Sequence, residues 1–213
     1  MNDVEIELKL VLTEESLKKF LQLPLLIKAL RAGSKKGRQL SSSYYDTENM
    51  VLREHGIAYR VRDKGDGTYE ATVKTGKARQ GGLTKRTEIN IPLEVPTPVL
   101  QGFAARGLGY DLTELAPKGV NCLFTVNVER ITYLLDYKNA VIELAIDKGY
   151  IVSAKDASKT TPIDEVELEL KEGTTEVLME FAELVKREIP VREESKSKFV
   201  RGLELCGIRD TKL

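Results

Sequence analysis

The chain has 213 residues, of which 33 are basic and 33 acidic, with one histidine, two cysteines and no tryptophan. Zero formal net charge leaves no global field to recruit nucleic acid or an anionic membrane, so any anion site must be a local concentration of bases. A lone His55 and two distant cysteines, Cys122 and Cys206, give a zinc centre or a Ser-His-Asp triad almost nothing to build from. Chemistry here would rest on carboxylates, ammonium groups and guanidinium groups.

The length suits one domain spanning residues 1–213. No apolar run approaches a spanning helix, and the start Met-Asn-Asp-Val-Glu is acidic where a signal peptide would be basic and then apolar. A cytoplasmic protein with reduced, mostly buried thiols is expected.

The chain opens on Glu5-Ile6-Glu7-Leu8-Lys9-Leu10, in which Glu5, Glu7 and Lys9 share one face of a strand and Ile6, Leu8 and Leu10 the other. Thr13 reads as an N-cap for a helix bearing Leu17, Phe20 and Leu21. Pro24 breaks that helix, and a second piece follows to Leu30. Residues 38–46 read as a strand, with Tyr44, Tyr45 and Asp46 as wall and turn residues. A loop at 53–56 holds an exposed His55. Strands at 57–63 and 68–75 flank the turn Gly65-Asp66-Gly67, and a glycine- and base-rich loop at 76–82 leads into a strand at 84–91. Pro98 opens a short helix through Arg106, and 107–121 reads as irregular. Strands at 123–135 and 140–147 are joined by Asp136-Tyr137-Lys138-Asn139. A last strand at 163–170 precedes a helix at 175–188 that Pro190 stops, and a final helix at about 195–205 carries Lys198 and Arg201 on one face.

Charge alternates with apolar residues in strand after strand: Arg60 and Arg62, Thr72 and Lys74, Arg86 and Glu88, Glu143 and Asp147, then Glu165, Glu167 and Glu169. About eight hairpin-joined strands imply an antiparallel sheet large enough to close into a barrel. If the charged faces point outward, the pattern is an ordinary wet sheet; if they point inward, helices cover an apolar exterior and the barrel encloses a polar tunnel. Alternation leaves both readings open, the wet face being the commoner.

Glutamates two apart on a strand lie about 7 Å apart and repel by roughly 2 kcal/mol at an effective dielectric near 20. An interior Glu165, Glu167 and Glu169 beside Glu5 and Glu7 would therefore be strained unless a cation sat among them. An all-oxygen carboxylate cluster suits Mg²⁺ or Mn²⁺, with Ca²⁺ as competitor. Lys9, Arg60, Arg62, Lys74, Arg86, Arg130 and Lys198 would instead engage an anion of high charge density, with arginine offering a bidentate fork to phosphate. Acids on one wall and bases on the other describe a receptor for a metal-chelated polyphosphate.

The opening strand resembles the E-x-E-x-K signature of the CYTH superfamily, the triphosphate tunnel metalloenzymes. The ordered set that follows carries the resemblance further: Tyr44-Tyr45-Asp46-Thr47, Leu52-Arg53, Ala58-Tyr59-Arg60-Val61-Arg62, Thr72-Val73-Lys74, Arg86-Thr87-Glu88, Arg130, Ile142-Glu143-Leu144, Asp147, Glu165-Val166-Glu167-Leu168-Glu169 and Ser197-Lys198 with Arg201. The resemblance, nearest to bacterial inorganic triphosphatases, implies an α+β fold: a closed eight-stranded antiparallel barrel with helices packed on the outside. It further implies a metal-dependent hydrolase that converts inorganic triphosphate to pyrophosphate and phosphate. Its carry-over places metal at Glu5, Glu7, Asp147, Glu165, Glu167 and Glu169, with Asp147 and Glu88 also readable as partners of neighbouring bases. It places phosphates at Lys9, Arg60, Arg62, Lys74, Arg86, Arg130, Lys198 and Arg201, and catalysis at Glu167, Glu169 and Lys9. Expected cofactors are Mg²⁺ or Mn²⁺, with Ca²⁺ inhibitory. The expected partner is a triphosphate compound, not nucleic acid or a membrane, and homodimerisation stays open. One departure is Val128, where compact bacterial relatives often carry a lysine. Thiamine triphosphatase, class IV adenylyl cyclase and a non-catalytic polyphosphate-binding module are the rival readings; the first two need an aromatic pocket for an organic group, which the composition does not offer.

Overall fold

The structure is a computed structural model that describes residues 3–80 and 83–208. Nine strands account for nearly half of these: β1 (Asp3–Val11), β2 (Lys36–Asp46), β3 (Ile57–Asp63), β4 (Tyr69–Gln80), β5 (Leu83–Leu93), β6 (Asn121–Tyr137), β7 (Ala140–Ser153), β8 (Thr160–Glu172) and the two-residue β9 (Arg192–Glu193). The helices are α1 (Glu14–Phe20), α2 (Pro24–Ala29), α3 (Val51–Glu54), α4 (Leu112–Leu115), α5 (Thr175–Glu188) and α6 (Lys198–Leu205). Thr13 caps α1 by accepting from the Ser16 amide at 3.1 Å, and Pro24 stands at the start of α2, as the sequence signals.

Sequential hairpins place β3, β4 and β5 side by side, and likewise β6, β7 and β8; the order β5-β4-β3-β2-β6-β7-β8-β1 is antiparallel throughout. Strand β1 then pairs with both β8 and β5, which closes the ring of eight. Closure removes the free edges an open sheet would expose. It also gives each strand one inward and one outward row of side chains.

The outward rows are apolar and covered. On one flank α1, α2 and α5 bury Leu8, Leu10, Ile142, Leu144, Val166 and Leu168 against Phe20, Leu26, Leu178 and Phe181. On the other flank Leu52, Phe103, Leu108 and Leu112 cover Ile57, Tyr59, Val61, Val73 and Ile89. Helix α6 departs from this arrangement. Its Phe199 and Leu203 pack with Leu40, Tyr44, Phe124, Val126, Val128, Ile151 and Ile163, residues of the inward rows of β2, β6, β7 and β8. The barrel is thus filled by an apolar plug at one end and carries its charges toward the other. Val128 belongs to that plug, buried among its apolar side chains.

Several boundaries differ from expectation for local reasons. Residues 53–54 close the turn of α3 instead of lying in a loop, because the Asp46 carboxylate accepts from the amides of Thr47, Leu52 and Arg53 at 2.7, 2.9 and 2.9 Å and nucleates it. The expected helix from Pro98 reduces to one 3₁₀ turn at Ala104–Arg106, and the irregular stretch holds α4, capped by Asp111 at 2.8 Å from the Thr113 amide. Pairing of β4 with β5 continues past a register shift between Thr75 and Ala78 to Gln80, so most of the glycine- and base-rich stretch is strand; residues 81–82 lie outside the described residues. Helix α6 begins at Lys198, with Ser197 as its cap. No described helix is long and apolar enough to cross a membrane.

Seating of α6 depends on a close approach. A Cβ on Gly202 would lie 2.2 Å from the Phe124 ring, which cannot swing away without leaving its stack on Tyr44 at 4.9 Å between centroids. Gly202→Ala should therefore destabilise the fold by about 1–3 kcal/mol in chemical denaturation. Unchanged stability would mean that α6 does not occupy the barrel end.

Candidate functional site

Register brings the charges together. On the inward face Glu5 lies opposite Arg86, Lys9 opposite Glu167, Lys74 opposite Glu88, Arg130 opposite Asp147 and Asp147 opposite Glu165. They line a cavity of about 210 Å³ whose walls include Glu5, Glu7, Lys9, Arg60, Arg62 and Lys74. Arg86, Arg130, Glu167, Glu169 and Lys198 also line it, whereas Asp147, Glu165 and Arg201 of the set read from the sequence stand behind the wall and reach it through their ion pairs.

On the acid wall, Lys9 reaches Glu7 at 2.5 Å and Glu167 at 3.3 Å. Arg86 spans Glu5 at 2.7 Å and Glu7 at 2.8 Å, while Lys74 joins Glu5 at 2.7 Å to Glu88 at 2.5 Å. Arg130 grips both oxygens of Asp147 at 2.6 Å and also Glu167 at 2.7 Å. Lys198 enters from the first turn of α6 and contacts Asp147 at 2.8 Å, Glu167 at 3.0 Å and Glu165; Arg201, one turn on, meets Glu165 at 3.1 Å. The expected strain among Glu165, Glu167, Glu5 and Glu7 is therefore absent from the ligand-free arrangement: the chain's own cations sit among them. Glu169, with Lys171 at 2.7 Å, stands toward the charged end near Glu143.

These contacts set the ionisation states. Burial opposes the charge on Glu5, but Lys74 and Arg86 outweigh it and hold the carboxyl far below the ordinary carboxylate range. Glu167 is likewise held well below it, burial being overcome by Lys198, Lys9 and Arg130. Burial raises Glu169, and Glu5 and Glu143 add to the rise against the pull of Lys171. Opposite these acids, Arg62 is pushed down to about 10 by burial and by Arg60 and Arg130. Its Nε donates to Ser42 Oγ at 2.8 Å, and among the described residues no carboxylate lies within ion-pair distance of it. Arg60 meets Glu88 only at 3.9 Å, and its buried Nε has no partner. The cavity is thus neutralised at its acid wall and short of acceptors at Arg60 and Arg62.

The donor set fits a hard divalent ion, since every ligand it offers is a carboxylate oxygen. Asp147, Glu165 and Glu167 each present an oxygen within 4.8 Å of the others, and all three are buried. The Lys198 ammonium already supplies the cation there, whereas Glu5, Glu7 and Glu167 face the cavity. The predicted site residues lie in this network, with Arg201 at its outer edge, except Arg62, which bonds Ser42, and Glu169, which pairs with Lys171. Sequence reasoning left out Ser42, Glu70 and Lys171, and gave Glu143 no site role although it had placed that residue in the alternation with Asp147. Lys171 continues the face of Glu165, Glu167 and Glu169, so the period-two pattern could have found it. Ser42 carries no charge and left no signal in a search for charge alternation.

A family model for the CYTH domain matches residues 3–203. The chain belongs to the CYTH domain family. An inorganic triphosphatase from Haemophilus influenzae is 30% identical over 199 residues, covering 93% of this chain and 54% of that protein, so the chain spans about half the length of this curated relative. Among solved structures, a Hippeastrum protein named as an adenylyl cyclase candidate with a dominant triphosphatase activity superposes with a TM-score of 0.63 at 15% identity, covering 96% of this chain and 97% of that one. The triphosphatase of the Mimivirus capping enzyme superposes with a TM-score of 0.52 at 11% identity, covering 89% and 91% of the two chains. At these identities the superpositions show a shared fold alone.

Within this CYTH barrel two neighbouring glutamates should behave oppositely in the ligand-free state. A carboxyl with a lowered folded pKa contributes stability above its unfolded value near 4.3, and loses it as pH falls through the folded value. Glu5 and Glu167 are of this kind, so stability should decline on acidification below about pH 4.5. Glu167→Gln leaves Lys9, Lys198 and Arg130 short of a counter-charge and should cost about 3 kcal/mol at pH 7. Glu169→Gln removes a carboxyl whose ionised form burial disfavours, so it should hold or raise the melting temperature. Thermal melts at pH 4 and pH 7 separate the two, and equal losses from both variants would contradict the assigned network.

Proposed function

We propose that this CYTH chain hydrolyses a terminal phosphoanhydride of inorganic triphosphate, releasing pyrophosphate and phosphate. The observation that carries the reading is a cavity with an all-carboxylate wall facing an arginine pole that lacks acceptors. Family membership and the 30% identical inorganic triphosphatase support it.

Tripolyphosphate offers many oxygen acceptors and high charge density, which is what Arg60, Arg62, Arg86, Arg130, Lys9, Lys74 and Lys198 can bind. Phosphoryl transfer needs mainly positioning and neutralisation of developing charge, so the lack of a nucleophilic side chain is no obstacle. Glu5, Glu7 and Glu167 would hold a divalent ion, Mg²⁺ or Mn²⁺, which when bound neutralises phosphate charge and lowers the pKa of water. Asp147 and Glu165 fix the directions of Arg130, Lys198 and Arg201. Lys9, held between Glu7 and Glu167, aims its ammonium at the phosphate nearest the acid wall. Of the two candidate bases, Glu169 suits proton removal from the attacking water better than Glu167. Its raised pKa makes it the stronger base, whereas the cations around Glu167 keep it a fixed anion.

Purified protein should release phosphate from tripolyphosphate with Mg²⁺, much more slowly from ATP, and lose activity with EDTA. Equal turnover of ATP, undiminished activity with EDTA, or cyclic AMP formation would each sink the reading. Glu7→Gln and Glu167→Gln should lower kcat and weaken metal dependence, while Arg62→Ala and Arg130→Ala should chiefly raise KM. Effects below about twofold in all four, under roughly 0.5 kcal/mol in transition-state stabilisation, would place the site elsewhere.

A pH profile tests the base. Because Glu169 must be deprotonated to accept a proton, and burial raises its pKa, kcat/KM should rise from acid toward neutral pH and then level off. Glu169→Gln should lower the plateau by about 10²-fold or more. An optimum near pH 6 in the wild type would point to a different titrating group.

A further inference from the structure

The arginine pole has an outer end as well as an inner one. Strand β3 runs from the plug, where Arg60 lies opposite Tyr44, toward the rim formed by its hairpin with β4. Its inward row is Arg60, Arg62 and, just past the strand, Lys64, with successive members about 7 Å apart. Arg60 and Arg62 are short of acceptors, but Lys64 is not: its ammonium meets the Glu70 carboxylate at 2.9 Å, both side chains being partly buried. Arg38, on β2 opposite Arg130, is paired too, with Asp66 at 3.1 Å. On this wall the bases nearest the rim hold acids of their own, and the bases deeper in do not.

Register makes the partner of Glu70 informative. Glu70 lies on β4 directly opposite Arg62 and lines the cavity, so by strand position Arg62 is its nearer cation. Its carboxylate instead takes Lys64, on the diagonal, and Arg62 is left with Ser42. The turn holds Lys64 where this is possible. Its amide donates to the Thr68 carbonyl at 3.0 Å, and Gly65, at φ +72°, rests so closely on β2 that a Cβ there would lie 2.3 Å from the Gln39 carbonyl oxygen. A row of phosphates seated on Arg60 and Arg62 can lengthen in one direction only, because α6 closes the other. The next phosphate meets Glu70, whose charge repels it and whose grip on Lys64 withholds the next base. Across the cavity the way out passes Glu143 and Glu169, which share Lys171, so that side offers no free base either.

We propose that Glu70 is a specificity-determining residue that ends the phosphate site after Arg62 by neutralising Lys64, and so favours tripolyphosphate over longer linear polyphosphates. This rests on the hydrolase reading above and adds to it a limit on substrate length. Glu70 acts through charge near the rim and takes no part at the reacting atoms.

The test is the ratio of kcat/KM for linear tetrapolyphosphate to that for tripolyphosphate, from initial rates of phosphate release with Mg²⁺ at fixed ionic strength. It is measured for wild type, Glu70→Gln, Glu70→Ala and the double variant Glu70→Gln with Lys64→Gln. Glu180→Gln, which removes an exposed acid of α5 held by Lys138, changes the net charge equally on the outer flank of the barrel and is the control. Partial unfolding of a variant lowers both rates alike and leaves the ratio intact. Both Glu70 variants should raise the ratio about fivefold through a lower KM for tetrapolyphosphate, the scale of one partly exposed charge pair, while the double variant and Glu180→Gln should keep a ratio within about twofold of wild type. An active wild type with the ratio unchanged in both Glu70 variants would overturn the inference and leave the hydrolase reading standing. So would a rise that comes only from slower tripolyphosphate turnover, that persists in the double variant, or that Glu180→Gln matches. A wild type that prefers tetrapolyphosphate would overturn it as well, and a wild type that hydrolyses neither would remove both.

Discussion

A charge turned into the interior of a closed barrel loses most of its water, and it stays ionised only if a partner of opposite sign stands within a few ångströms. In this chain that partner is supplied by strand register. Each inward row is a short run of charges, and antiparallel pairing sets Glu5 against Arg86, Lys9 against Glu167, Lys74 against Glu88 and Arg130 against Asp147. A slip of one residue would turn the apolar rows inward and leave the helices facing charge, so the outer cores and the inner ion pairs specify the same register. The ion pairs are a weak source of net stability, because desolvation offsets much of their attraction. What they add is selection against other pairings, while the apolar clusters outside supply the burial that holds the barrel closed.

The plug divides the interior by chemistry. Toward the end filled by α6 the inward rows change from charged to apolar, through Val128, Val126 and Phe124 on β6 and Ile151 on β7. Phe199 and Leu203 meet these residues, while Lys198 and Arg201, on the same short helix, reach forward to Asp147, Glu165 and Glu167. One helix thus ends the cavity and contributes part of its charge. Because its seating depends on Gly202 lying against the Phe124 ring, the position of Lys198 is tied to packing well away from the carboxylates it serves.

The sequence carried the strands well, because their period-two alternation is repeated and unambiguous, and it carried the charged site for the same reason: every residue placed by alternation points inward. It was weaker where structure depends on contacts distant in the chain. The α3 turn hangs on Asp46 carboxylate bonds to amides six and seven residues on, and β4 extends through a glycine-rich stretch because β5 offers it partners. The destination of α6 was also hidden, since an amphipathic helix looks the same whether its apolar face meets a barrel's outer wall or fills its end. Compensation between acids and bases could not be read either. Spacing along one strand shows which charges are neighbours there, but the cations that neutralise Glu165 and Glu167 come from β1, β6 and α6.

That compensation bears on how such a cavity can admit a polyanion. If every base were fully engaged by carboxylates, a phosphate chain would have to displace ion pairs one for one, with little net gain. The distribution is uneven instead. Lys9, Arg86, Arg130 and Lys198 are saturated at the acid wall, whereas Arg62 has only a serine oxygen and Arg60 a distant glutamate. Burial, with repulsion from Arg60 and Arg130 added to it, lowers the Arg62 pKa to about 10, so the empty site tolerates that charge poorly. An anion entering at this pole gains its first contacts without breaking any carboxylate pair. A divalent cation at Glu5, Glu7 and Glu167 would then take over part of the work of Lys9 and Arg86, freeing those bases to turn toward the phosphates. On the proposed function the acids would have two partners in succession, internal cations when the cavity is empty and a metal when it is filled. The free energy of the site lies in the difference between the two, not in either set of contacts alone.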